Sequence, residues 1–151
     1  MALRGTNQEF GRPYNRRIVI EAIRLNGPIT RADIAKQVGL TLQTVSTITS
    51  ELQEQGFVIL RRTVPKGRGF PAPSLEINPA GGFAVGVHVT PRGIQAALVN
   101  LAGEIVASDE RVAAHIAPDV AFQEIARLVG GLCAPCAGQV LGVGLAMPGP
   151  F

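Results

Sequence analysis

Gln43, Thr44, Ser46, Thr47 and Ser50 fall within one eight-residue stretch, and each offers hydrogen-bonding capacity without charge. No Ser-His-Asp set, paired-carboxylate arrangement or phosphate-binding Walker loop can be assembled in this sequence. The chemistry these side chains suit is recognition: amides and hydroxyls match the donors and acceptors of base edges on the floor of a DNA major groove, whose walls are phosphates. The bland alternative is the solvated face of an ordinary helical hairpin. Cations stand to either side, Arg31 before the stretch and Lys66 and Arg68 after it, as candidates for phosphate or minor-groove contact.

Such a face needs elements to hold it out. Ile29, Ile34, Ala35, Val38, Leu40, Val45, Ile48, Leu52 and Phe57 recur at three- and four-residue steps, interrupted once at Gly39, which predicts two short helices and a tight turn. Thr30 followed by Asp33 reads as a capping box, the hydroxyl taking the N3 amide and the carboxylate reaching back to the cap's own amide. The first of the two helices therefore begins near Arg31. Gly39 supplies the left-handed residue that ends it, and Thr41 caps the next, expected from about Leu42 to Gln55 with Gly56 as its stop. With Val45, Ile48 and Leu52 inward, Gln43, Thr44, Ser46 and Thr47 are left to meet base edges.

Before the hairpin, Leu3 to Arg17 carries Arg4, Arg12, Arg16 and Arg17 among glycines and a proline, and reads as a flexible basic arm. A helix is expected from Asn15 to Asn26, packing through Ile18, Ile20, Ala22, Ile23 and Leu25. After the hairpin, Phe57 to Thr63 and Ala72 to Ile77 read as strands around the tip VPKGRGFP. A basic, glycine-rich tip can lie along a phosphate backbone or place Arg68 in a narrow minor groove, and it completes a winged helix-turn-helix.

Length and charge agree with a division. The chain has 151 residues, 46% of them hydrophobic, enough for one domain or two small ones. Residues 1–80 hold eleven Lys and Arg against six acids, net +5, whereas residues 81–151 hold three against five, net −2. A basic first half is what a phosphate-contacting module requires. No apolar run approaches the length of a membrane span, and MALRGTNQEF lacks a signal peptide's apolar core. A cytoplasmic protein with no membrane contact is expected.

Asn78 to Gly82 reads as a linker. Beyond it FAVGVHV, GIQAALVN and GEIVASDERV have the spacing of a β-meander, and a helix is expected from Asp119 to Leu132. The run from Val140 to Met147 is almost wholly apolar, the pattern of a strand buried on both faces and central in its sheet. Gly142 and Gly144 within it read as points of close backbone packing. The chain stops straight after this strand, so the sheet is expected to be completed by a longer natural polypeptide. Cys133 and Cys136 have a redox CxxC spacing but follow a helix, where the dipole opposes a thiolate. His88 and His115 lie in separate segments, too few for a zinc site, and are expected to be structural. No cofactor or metal is predicted.

Several stretches occur together in a fixed order: GTNQ, YNRR, GPITRADIA, GLTLQTVS, KGRG, LEINPAGGFAVGV, ALVNLAGEIV and GVGLAMPGP. This ordered set resembles the N-terminal part of ROK-family transcriptional repressors. The resemblance implies an α+β chain. Residues 1–79 would form a winged helix-turn-helix with its basic arm, and residues 80–151 an incomplete ROK-type sugar-sensing domain, the first β-β-β-α-β portion of an actin/sugar-kinase-like fold, truncated. It further implies a homodimer on a double-stranded DNA operator, with a sugar or sugar derivative as effector, repressing sugar-utilisation genes. The competing expectation is a sugar kinase with an accessory DNA-binding head. Against it, the D-x-G-G-T turn of ROK kinases is replaced by Val87-His88-Val89-Thr90-Pro91, without carboxylate or glycines. Thr44, Val45 and Ser46 match the family's T-V-S, but Thr47 stands where relatives frequently carry Arg, so base preference does not transfer.

Overall fold

The structure, a computed structural model, describes residues 11–61, 72–113 and 116–147. The chain separates into two compact units, Met1–Gly81 and Gly82–Phe151, each with its own apolar core.

The first unit opens with α1, Arg12–Asn26, which starts three residues earlier than the apolar pattern suggests. Pro13 explains the difference, since its fixed φ and missing amide suit the first turn of a helix. Arg12 is therefore helical rather than part of an arm, and Arg16 and Arg17 lie in the helix as its expected start at Asn15 implies; Arg4 lies outside the described residues. A two-residue strand β1, Ile29–Thr30, which the sequence pattern does not reveal, leads into α2, Arg31–Val38. Gly39 ends α2 at φ 68°, and α3 runs Leu42–Glu54. Strands β2, Val58–Arg61, and β3, Ser74–Ile77, pair antiparallel, and β1 joins β3 on its other side. Ile18, Ile23, Ile34, Val45, Leu52 and Leu75, all essentially inaccessible, bring the three helices and the small sheet onto one core.

The expected linker is ordered where it leaves this unit. Asn78 Nδ2 donates to the Gly56 carbonyl at 2.7 Å and its backbone amide donates to the Phe57 carbonyl at 2.9 Å. Pro79–Gly81 then forms a single 3₁₀ turn.

In the second unit β4, Phe83–Thr90, β5, Gly93–Asn100, and β6, Ile105–Val112, form the expected meander. Helix α4, Pro118–Cys133, packs Leu128 and Leu132 onto Val85, Val87, Ile94, Ala96 and Leu98. Strand β7, Val140–Ala146, runs parallel to β4, in the sheet order β6-β5-β4-β7.

Two features of β7 stand out among the described residues. Among these residues it lies at the end of the four-stranded order, and Leu141, Val143 and Leu145 are each more than half exposed. An apolar run reports that both faces of a strand avoid water, but carries no information on which element covers them. A Cβ added at Gly142 or Gly144 would meet no atom of the described residues within 4 Å.

Candidate nucleic-acid interface

Helix α3 is fixed at its start by local chemistry. The Thr44 amide donates to Thr41 Oγ1 at 3.1 Å, satisfying one of the first-turn amides that no helical carbonyl can reach. The hydroxyls of Thr41 and Thr44 are themselves hydrogen-bonded at 2.8 Å. At α2 the capping pair departs from the expected box. The Asp33 amide donates to Thr30 Oγ1 at 3.2 Å, but Asp33 Oδ2 accepts from the Thr30 hydroxyl at 2.6 Å instead of reaching its backbone amide.

Along α3, Val45, Ile48, Thr49 and Leu52 face the core. Gln43, Thr47 and Ser50 are exposed, whereas Thr44 and Ser46 are half-buried. Thr47 Oγ1 donates back to the Gln43 carbonyl at 3.1 Å. The structure thus brings Gln43, Thr44, Ser46 and Thr47 onto the first half of one helix, with Gln43 and Thr47 the more accessible pair. It adds a residue that apolar periodicity passes over: Leu42, at the head of α3, is 54% exposed.

Three arginines set the pose of α3. Arg12 Nη2 lies 2.5 Å from Glu51 Oε1, Arg16 Nη1 lies 3.6 Å from Glu51 Oε2, and Arg16 also donates to Gln55 Oε1. From the other side, half-buried Arg31 donates through Nε to Thr49 Oγ1 at 2.9 Å and through Nη2 to Gln53 Oε1 at 2.8 Å. Thr49 Oγ1 in turn donates to the Ser46 carbonyl at 3.2 Å. Arg31, which the sequence suggests as a phosphate contact, therefore ties the start of α2 to the middle of α3. A guanidinium has five N–H donors, so donors remain beyond these bonds.

The wing strands converge where Arg61 pairs with Ser74, and Arg61 also lies 3.4 Å from Glu76. Lys66 and Arg68, the expected wing-tip cations, lie outside the described residues. On α1, the Glu21 pKa is lowered from its ordinary value chiefly by its hydrogen bond from Arg24, against the opposing effect of burial. This pair is surface-exposed, so it adds little to stability.

The second unit offers no competing centre among its described residues. Thr90 Oγ1 donates to the Gly93 carbonyl at 3.2 Å and accepts the Arg92 amide at 3.1 Å, so the β4–β5 turn uses an amide that a phosphate cradle would need. His88 is exposed on the sheet face opposite α4, in a shallow depression with Gln95 and Glu110. His115 lies outside the described residues. Cys133 and Cys136 are free thiols, with Cys136 buried against the Leu132 carbonyl. No group of three or more His, Cys, Asp or Glu fit to hold a metal ion occurs among the described residues, and no helix there is long and apolar enough to cross a membrane.

This arrangement is a winged helix-turn-helix, and the protein family described as Winged helix-turn-helix DNA-binding matches residues 12–59. A protein of Caldicellulosiruptor sp. (strain Rt8B.4) is 32% identical over 100 residues, covering 66% of this chain and 25% of that one. The xylose repressor of Bacillus subtilis (strain 168) is 26% identical over 147 residues, covering 95% of this chain and 38% of its own length. A crystal structure of a ROK family transcriptional regulator, a homolog of the E. coli MLC protein, shares the fold with a TM-score of 0.71 at 24% identity, over 91% of this chain and 36% of that chain. The chain spans between a quarter and two fifths of the length of these relatives. Its fold is that of the ROK family regulator, and its sequence is similar to that of the xylose repressor over nearly the whole of this chain.

Proposed function

We propose that this chain is the operator-binding part of a transcriptional repressor of sugar-utilisation genes, whose affinity for double-stranded DNA is lowered or raised by a sugar or sugar derivative. The observation that carries the reading is the exposed, uncharged polar face of α3, braced from two sides by Arg12, Arg16 and Arg31. Gln43, Thr44, Ser46 and Thr47 contact base edges, and Lys66 and Arg68 contact phosphate or the minor groove. Arg31 keeps donors for a phosphate while holding the helices together. Two copies act as a homodimer on half-sites about one helical turn apart or a small multiple of it. The xylose repressors among its relatives support a sugar as the effector class. A catalytic kinase role is disfavoured by the Thr90-Pro91 turn, whose Arg92 amide is already bound.

Selection of duplexes from a random pool tests this directly. Enrichment of a shared motif, with affinity falling steeply as salt rises, is expected. Salt-insensitive retention of every duplex alike would sink the proposal.

A further inference from the structure

Resting on the operator-binding reading above, we propose that Leu42 and Gln43 together form an adenine-thymine reader at the leading end of α3. The Gln43 amide pairs with an adenine edge, and the Leu42 side chain lies against a thymine 5-methyl group.

The apolar residues deeper in α3 are inside: Val45 and Leu52 are fully buried and Ile48 is nearly so. Leu42 is outside that core, exposed at the first position of the helix. A single exposed leucine is ordinary on a protein surface; what distinguishes this one is its company. The Thr44 hydroxyl is engaged with the Thr41 cap and the Thr47 hydroxyl with the Gln43 carbonyl. Gln43 is left as the first-turn side chain whose donor and acceptor have no partner among the described residues. A carboxamide matches adenine N6 and N7 in the major groove, and thymine is the base that presents a methyl group there. A leucine side chain has nothing else to recognise on a base edge. From Leu42 to Ser50 the helix carries no Arg or Lys, the side chains that pair with guanine O6 and N7. Donor pattern, apolar group and missing cation all favour A·T over G·C at adjoining steps.

The test uses the 151-residue chain and the duplex it enriches from a random pool. Each thymine is replaced in turn by uracil, which removes only the methyl group, and each adenine by 7-deazaadenine, which removes the N7 acceptor. One uracil position is expected to weaken wild-type binding about fourfold, the transfer free energy of roughly one methyl group. Leu42→Ala should bind the thymine duplex about as weakly and be indifferent to that uracil, while Leu42→Met keeps the sensitivity. Gln43→Ala should lose the response to a neighbouring 7-deazaadenine. The proposal is overturned if no uracil position matters, or if Leu42→Ala retains both wild-type affinity and uracil sensitivity. If wild type enriches no duplex at all, the operator-binding reading has failed first, and this proposal falls with it.

Discussion

Gly39 isolates a backbone effect from a packing effect. It sits at φ 68°, and a Cβ added there would meet no atom within 4 Å. Gly39→Ala is therefore expected to cost about 1–2 kcal/mol through the left-handed conformation alone, and Gly39→Asn less, because asparagine tolerates that region. Urea unfolding checks the order; an alanine variant as stable as wild type would show that the turn relaxes. Thr41→Ala should cost about 1 kcal/mol by freeing the Thr44 amide, and Thr41→Ser should restore most of it. Both positions are legible in the sequence because their chemistry is local: a cap or a left-handed glycine acts over three or four residues. Leu42 is not, since an apolar residue one step from a buried pattern looks the same whether it faces the core or water.

At the scale of elements, the bonds from Arg31 to Thr49 and Gln53 join two helices across 18 and 22 residues of sequence. No periodicity shows such a pairing, and a cation ahead of a polar face reads equally as a phosphate contact. The two roles separate experimentally. Thr49→Val removes the acceptor at nearly constant volume and leaves a half-buried guanidinium N–H without its partner, at about 1–3 kcal/mol. As a positioning effect, this should lower affinity for the selected site more than for random DNA and leave the salt slope unchanged. Arg31→Gln should repeat that loss, and makes the slope shallower by about 0.9 only if the remaining donors also meet a phosphate. Should Thr49→Val lower specific and random binding equally, Arg31 does not orient α3 in the way argued. The sheet of the second unit teaches the converse lesson. Hydropathy places its strands and helix correctly, yet it does not say that β7 pairs with β4, because it describes a strand's surroundings and not its neighbours' order.

At the scale of the whole molecule, the two units differ in the sign of their charge, net +5 over residues 1–80 and −2 over residues 81–151. Part of the positive charge is already used within the fold, since Arg12 and Arg16 meet Glu51 and Arg61 meets Glu76. On the proposed reading, the cations left for DNA are consequently fewer than composition suggests, and Lys66 and Arg68 would carry proportionally more of the attraction. Replacing both with Ala should weaken binding to all duplexes and make the plot of log affinity against log salt shallower by roughly 0.9 for each phosphate that the variant no longer neutralises. Preference among sequences should change little if both meet phosphates, because phosphates carry no base identity. If Arg68 instead enters the minor groove, Arg68→Ala alone should also reduce the preference for A-tract flanks, where that groove is narrow and its potential most negative. Titrations of wild type, the two single variants and the double variant between low and physiological salt distinguish these outcomes. An unchanged slope in the double variant would remove the wing from the interface and leave α3 to bind without it.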